Sequence, residues 1–259
     1  MGIFNLNTDM AEGYGPWQMG DDEGLLGLVQ SANIACGFHA GDANIMARVM
    51  ASADEKGVSI GAHPGFQDLH GFGRRKMTLS VAEIENLMAY QLGAALAMAA
   101  LVGARITHVK PHGALNNMAA VDQDMSMAIA RAIKAVDASQ ILLAPTLSEM
   151  VTAGHDCGLV VVEEVFADRA YMPDGQLAPR SRPDAMIHDP HEALAHCLRM
   201  LGEGVIVTLD GSRLKTAGRS ICVHGDEPSA LAMVQHLKSG LEAAGLRPAT
   251  LPELVAAQA

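Results

Sequence analysis

Ser31-Ala32-Asn33-Ile34-Ala35-Cys36-Gly37-Phe38-His39-Ala40-Gly41-Asp42 passes from a short apolar run, through a glycine-bounded loop, into a helical stretch. A run of about five apolar residues closed by a turn signal reads as a buried strand. Asp42 then stands where an N-cap belongs, ahead of the helix expected at Asp42–Lys56. The same unit recurs in both directions along the chain. Strands are expected at Ile3–Asn7, Ser31–Ala35, Val58–Ala62, Arg105–Val109, Ile141–Ala144, Leu159–Val165 and Ser220–Val223. The other helices are expected at Asp22–Gln30, Ser80–Val102, Asp124–Val136, Leu147–Cys157, Pro190–Leu201 and Ser229–Ala244. Alternation of this kind gives βα units and a parallel sheet, because parallel neighbours need a crossover between them.

Local signals place the helix ends. Ser80-Val81-Ala82-Glu83 is a capping box, in which hydroxyl and carboxylate satisfy N–H groups of the first turn. Asp189-Pro190 is an N-cap followed by proline at the first helical position. Val205–Asp210, Gly211-Ser212 and Arg213–Ala217 break the alternation and read as a hairpin insertion near 205–217. With no repeat, linker or low-complexity stretch, residues 1–259 read as one domain. Seven βα units suit an open doubly wound sheet or a closed barrel, and periodicity does not separate the two.

Composition narrows the function classes. The chain has 259 residues, 49% hydrophobic and 18% charged, which excludes disorder and coiled coil. Its 18 Lys+Arg against 29 Asp+Glu leave a net charge of -11 and no basic run, which argues against nucleic acid or an anionic membrane as partner. Asn5, Asn7 and Asp9 interrupt any signal-peptide core. The run Leu92 to Gly103 is shorter than the about 20 residues that a membrane span needs. Cys36, Cys157, Cys197 and Cys222 are far apart and form no CxxC pair, so reduced thiols and a cytoplasmic location are expected.

Polar residues gather at or after the expected strand ends. They are Asp9 and Glu12, His39 and Asp42, His63, Lys110 and His112, Glu164 with Asp168 and Arg169, then His224 and Asp226. In parallel α/β folds the carboxyl ends of the strands share one edge, and that edge carries the site. Asp42 and Asp226 each precede a helix and read first as N-caps. Arg74 and Arg75 taken alone read as a surface pair. Imidazoles with a carboxylate can bind a divalent metal and activate water, or move protons while a cation stabilises an oxyanion. The chain has no Gly-x-Ser-x-Gly elbow and no GxxxxGK[ST] loop.

At these residues the chain resembles the LamB/YcsF family, whose members serve as one subunit, designated A, of ATP-hydrolysing 5-oxoprolinase. The resemblance runs from about Phe4 to Gly245. It is carried by the stretch from Ser31 to Asp42, by Gly61-Ala62-His63-Pro64-Gly65 and by Gly71-Phe72-Gly73-Arg74-Arg75. Val109-Lys110-Pro111-His112-Gly113-Ala114-Leu115, Glu164-Val165-Phe166-Ala167-Asp168-Arg169 and Val223-His224-Gly225-Asp226 continue it. Thr8, Met10, Ala11, Asn116, Glu227 and Ser229 depart from the family pattern, and Glu227 adds negative charge at an expected helix N-terminus.

The resemblance implies a seven-stranded (β/α) barrel, TIM-like and akin to the glycoside hydrolase/deacetylase superfamily. It implies ATP-dependent opening of the lactam 5-oxo-L-proline to L-glutamate, with Mg2+ expected beside ATP and two further subunits, B and C. Asp9, Glu12, Lys110, His112, Glu164, Asp168, Arg169 and His224 would then be catalytic. Asn33, His39, Arg74, Arg75 and Asp226 would bind substrate or nucleotide. Asp9, His63 and His112 would form a metal set if one is used. Two alternatives stay open: an ATP-independent, metal-dependent amidase or deacetylase, and a non-catalytic subunit that only binds substrate. A homo-oligomer is compatible with either. Loss of Lys110 is expected to silence turnover while leaving the thermal midpoint nearly unchanged.

Overall fold

The computed structural model describes residues 2–224 and 230–257. Its first half comprises β1 (Ile3–Met10), α1 (Asp22–Leu26), β2 (Ser31–Ala35), α2 (Ala43–Glu55), β3 (Ser59–His63), α3 (Val81–Leu101), β4 (Ile106–Val109) and α4 (Gly113–Ala119). Then follow α5 (Gln123–Val136), β5 (Ile141–Pro145), α6 (Glu149–Asp156), β6 (Val160–Phe166) and α7 (Pro190–Glu203). The last part holds β7 (Val205–Val207), β8 (Arg213–Lys215), β9 (Ser220–Cys222), α8 (Ala230–Ala243), β10 (Arg247–Pro248) and α9 (Leu251–Ala256).

The sheet closes into a barrel. Parallel neighbours run β1-β2-β3-β4-β5-β6-β9, and β9 returns to pair with β1 through Asn5↔Ser220 and Asn7↔Cys222. This decides between the two architectures that periodicity left open. β7 and β8 pair antiparallel in a separate two-stranded sheet, and β10 adds to the start of β1.

Side chains alternate between the two faces of each strand, so the barrel interior is written at every second residue. In β1, Phe4, Leu6 and Met10 join the apolar layer beneath the helices, while Asn5, Asn7 and Asp9 share the other face. The interior becomes more polar from bottom to top. At the bottom, Ile141, Leu143 and Val162 meet Leu251 and Leu254, so α9 plugs the barrel. Above them Asn5 donates to Ser31 Oγ at 2.8 Å and Ser220 donates to Asn5 Oδ1 at 2.7 Å, while the Ser31 and Ser59 hydroxyls are 2.6 Å apart. Buried amides and hydroxyls are costly unless paired in this way. The charged groups occupy the top.

Several boundaries differ from expectation for local reasons. β1 continues to Met10, which places Asp9 on the strand itself. α1 stops at Leu26 with Gly27 as its C-cap, short of the expected Gln30. Leu147 has φ 61 and cannot begin a helix, so α6 starts at Glu149 behind Ser148. The short helices α4 and α9 lie outside the expected set.

α3 is, by length and composition, apolar enough to cross a bilayer, unlike the shorter run 92–103 read from the sequence. Here Ile84, Met88, Leu92, Ala95 and Ala99 are buried, and Gln91 bonds the Gly65 backbone in both directions at 3.0 and 2.9 Å. All four cysteines are free thiols. Asp226, Glu227 and Ser229 lie outside the described residues.

Candidate active site

The carboxyl ends of the barrel strands bring Asp9, Asn33, His63, Glu164 and Cys222 to one mouth, with Lys110 one residue beyond β4. The following loops add Glu12, His39, His112, Asp168, Arg169 and His224. A cavity of about 670 Å³ bordered by Leu96, Ile106, Ile141 and Val255 lies near the opposite end and contains none of these groups.

Lys110 is only 2% exposed. Its ammonium lies 3.0 Å from each of Asp9 Oδ1, Glu164 Oε1 and Cys222 Sγ, and 3.3 Å from Asn7 Oδ1. Burial opposes the charge, but Asp9, Cys222 and Glu164 outweigh it and raise the Lys110 pKa well above the usual lysine value. Burial would likewise raise the Asp9 carboxyl, yet His63 and Lys110 hold it well below the carboxylate range. Glu164 is pushed up, chiefly by burial. Lys110 therefore spends its charge inside the barrel. That corrects the expectation that its loss leaves the thermal midpoint unchanged, since two buried carboxylates would lose their cation.

Asn33 bonds the same oxygen of Asp9 as Lys110 does. Its amide donates to Asp9 Oδ1 at 2.9 Å and Asn7 Oδ1 at 2.8 Å, while its carbonyl accepts from His108 Nε2 at 2.9 Å. Burial brings the His108 pKa down to about 3, so the ring is neutral. His108 fits because its cross-strand neighbour is Gly61, where any Cβ would collide with the imidazole.

Three further imidazoles meet beside this group. His63 Nδ1 is 2.7 Å from the Lys110 carbonyl, and His112 Nε2 is 2.8 Å from the Phe72 carbonyl. A carbonyl only accepts, so both of these nitrogens carry hydrogen. The remaining nitrogens, His63 Nε2 and His112 Nδ1, face each other at 3.0 Å. Asp9 Oδ2 lies 3.2 Å from His63 Nε2, and Glu12 Oε1 lies 3.3 Å from His39 Nε2 and 3.6 Å from His112 Nδ1. His39 stacks on His112 with centroids 3.7 Å apart. Burial and the neighbouring rings hold His39 and His112 well below the usual histidine value.

Glu12, His39, His63 and His112 each offer a ligand atom within 4.8 Å of the others. Neutral imidazoles with one carboxylate fit a divalent ion of the zinc type. The expected set of Asp9, His63 and His112 differs from this one. His63 and His112 are joined by Glu12 and His39, while the oxygens of Asp9 go to Lys110, Asn33 and His63.

The backbone around the cluster is strained where it must be close. Ala11 (φ 59) and Phe72 (φ 53) are left-handed residues other than glycine, each costing about 1–2 kcal/mol. Ala11 sits between Met10 and Glu12, and Phe72 presents the carbonyl that fixes His112. Gly73 has φ 61, and a Cβ there would stand 2.7 Å from His39 Cβ and 2.9 Å from His112 Cδ2.

A second pair lies at the same mouth. Asp168 Oδ2 accepts from His224 Nδ1 at 2.7 Å, and His224 stacks over Phe166. Burial would raise the Asp168 carboxyl, but His224 outweighs it and lowers it. Arg169 is buried, donates to the Ala178 carbonyl at 2.6 Å, and burial brings its pKa down to about 10. The Arg74 charge is felt by His39, His112 and Arg169, and its guanidinium lies 4.8 Å over the Phe72 ring. The Arg75 side chain is 68% exposed and bonded through Nε and Nη2 to Asp68. Asp42 caps α2 through the Asn44 and Ile45 N–H groups.

Sequence reasoning missed Asn7, His108, Cys222 and the Phe72 carbonyl. The first three had a signal available. Asn7 alternates in phase with Asp9, His108 with Lys110, and Cys222 with His224.

The A subunit of 5-oxoprolinase from Azorhizobium caulinodans is 50% identical over 242 residues, covering 93% of this chain and 96% of its own. The crystal structure of a lactam utilization protein from Thermus thermophilus is 41% identical, with a TM-score of 0.90 over 97% of this chain and 100% of that one. A peptidoglycan deacetylase from Bacillus subtilis shares the fold alone, at 13% identity and a TM-score of 0.51 over 99% of this chain and 91% of its own. The LamB/YcsF family model matches residues 4–256, and with that span the chain belongs to the LamB/YcsF family.

Proposed function

We propose that this chain is the ring-opening component of an ATP-dependent 5-oxoprolinase, converting 5-oxo-L-proline to L-glutamate together with the B and C subunits. The observation that carries the reading is the convergence of His63 Nε2 and His112 Nδ1 beside Glu12 and Asp9 at the barrel mouth. The near full-length relatives named for this activity support it.

A lactam carbonyl is a poor electrophile, so hydrolysis gains from activation. Phosphorylation of the lactam oxygen by ATP with Mg2+ makes the ring carbon open to water. Water adds to that carbon, the ring nitrogen leaves first as it takes up a proton, and a second water then displaces phosphate from the resulting acyl phosphate to give glutamate. Arg74 and Arg169 offset phosphate and carboxylate charge. Asp9 and Glu12 orient the attacking water, and Glu12 accepts its proton. His224, aligned through Nδ1 by Asp168, gives the proton to the leaving nitrogen. Lys110, Asn33 and His108 act indirectly by holding Asp9 in place. A divalent ion held by Glu12, His39, His63 and His112 would supply a Lewis acid at the same point. Dependence on ATP and four free thiols fits a cytoplasmic protein.

The four-residue donor set favours one second reading, a metal-dependent amidase that needs no ATP. One assay separates the two: glutamate and ADP release by the purified chain, with and without the B and C subunits, ATP and chelator. Glutamate should appear with stoichiometric ADP only when both partners are present. Stoichiometric glutamate from the lone chain without ATP would overturn the oxoprolinase reading.

A further inference from the structure

The loop leaving β1 displays three large apolar side chains to solvent. Trp17 is 70% exposed, and Tyr14 and Met19 are each 40% exposed. The loop begins one residue after Glu12, at the same end of the barrel as the mouth.

The loop is held firmly. Tyr14 N–H donates to the Trp17 carbonyl at 2.9 Å, and Trp17 N–H donates back at 3.0 Å. Gly15 N–H donates to Asp42 Oδ2 at 2.8 Å, while Gly41 N–H donates to the Gly13 carbonyl at 2.8 Å. Asp42 thus caps α2 and anchors the loop at once. A fixed backbone presenting Trp, Tyr and Met loses little further freedom on association. These residue types are enriched at the cores of protein interfaces. A lactam as small and polar as 5-oxoproline cannot cover all three side chains. Exposed Asp21 follows, on a chain with net charge -11, so the complementary surface is basic.

We propose that the Tyr14–Met19 loop is the docking edge for a companion subunit, which closes the mouth by seating Trp17 in an apolar pocket ringed by basic side chains. The identity of that partner rests on the 5-oxoprolinase reading, whereas the location of the surface rests on the loop itself.

Trp17 is the only tryptophan, so the full chain labelled with 5-fluorotryptophan gives a single fluorine resonance. The purified B and C subunits are added, and complex formation is followed in parallel by sedimentation. The resonance should shift or broaden as the complex forms. Trp17→Ser should weaken association about tenfold or more while leaving the thermal midpoint and divalent-ion binding unchanged. A complex that forms with the resonance unmoved, or as tightly with Trp17→Ser, overturns the docking surface and spares the functional reading. A shift on adding 5-oxoproline alone, or on concentrating the chain alone, overturns it in favour of substrate or self-association. Failure of the unsubstituted chain to associate with either companion overturns the surface and the functional reading together.

Discussion

His63 Nε2 and His112 Nδ1 stand 3.0 Å apart, and neither ring is free to turn away. Each has its other nitrogen tied to a backbone carbonyl, that of Lys110 for His63 and that of Phe72 for His112. In neutral rings, the two facing nitrogens present lone pairs to each other. Such a contact is repulsive without a positive charge, either a proton or a metal ion. Glu12 and Asp9 border it with carboxylates, so the fold provides both the need for a cation and the counter-charge for it.

Metal binding should follow from this arrangement. The chain is expected to bind one Co2+ or Zn2+ ion, read by cobalt absorbance and titration calorimetry. His63→Ala or His112→Ala should weaken binding by more than the roughly 10–100-fold typical of losing an outer partner. His155→Ala, at an exposed position, should have no effect. Equal affinity in all three variants would show that the ion binds outside this cluster.

Gly73 should tolerate no side chain. Its φ of 61 and the short approaches to His39 and His112 both oppose a Cβ. Gly73→Ala should cost roughly 1–3 kcal/mol in strain and displace the two stacked rings. Cobalt affinity should therefore fall further than the loss of stability explains. A variant with unchanged affinity and midpoint would mean that the loop relaxes freely.

Strand-end position was enough to find most of the mouth, because alternation in a parallel sheet sends every second residue inward and every loop that follows a strand to one edge. Asp9, Glu12, His63, Lys110, His112 and Glu164 were legible on that ground. Which of them pair was not legible, since it depends on barrel closure. Lys110 reaches Glu164 and Cys222 only because β9 returns to β1 and pairs with β6. That Glu12 and His39 lie within reach of His63 and His112 was hidden for a similar reason. The left-handed turn at Ala11 lies immediately before Glu12, and no residue type at position 11 announces it. Arg75 could not be separated from Arg74, because its partner Asp68 lies on a turn with no periodic pattern.

Acid should destabilise the metal-free chain early, and His108 is one source. Its folded pKa is about 3, whereas an unfolded histidine titrates near 6.5. Below pH 6.5 the unfolded chain takes up a proton that the folded chain refuses. Stability is therefore complete above about 6.5 and declines as pH falls toward 3, by up to about 1.4 kcal/mol per pH unit for each such group. His39 and His112 act in the same direction. Urea unfolding between pH 7 and 4.5 should show the slope, and His108→Gln should make it shallower. An unchanged slope in the variant would remove His108 from the account.

Lys110 gives a test in which charge and packing can be separated. Lys110→Met fills similar volume but leaves the Asp9 and Glu164 carboxylates buried without their cation. Breaking a buried pair in this way costs about 3–5 kcal/mol. Adding Glu164→Gln removes one of the stranded charges, so the double variant should be more stable than the sum of the single effects. The two residues are in direct contact, which is where additivity is expected to fail. The single variant carries a further signature. Burial already pushes the Glu164 carboxyl up, and loss of Lys110 removes the charge that opposes that shift. Glu164 should then take up a proton at moderately acid pH, which makes the penalty of Lys110→Met smaller at pH 5 than at pH 8. Urea midpoints for the four proteins at the two pH values measure both effects. Simple additivity with no pH dependence would show that Lys110 contributes packing rather than charge.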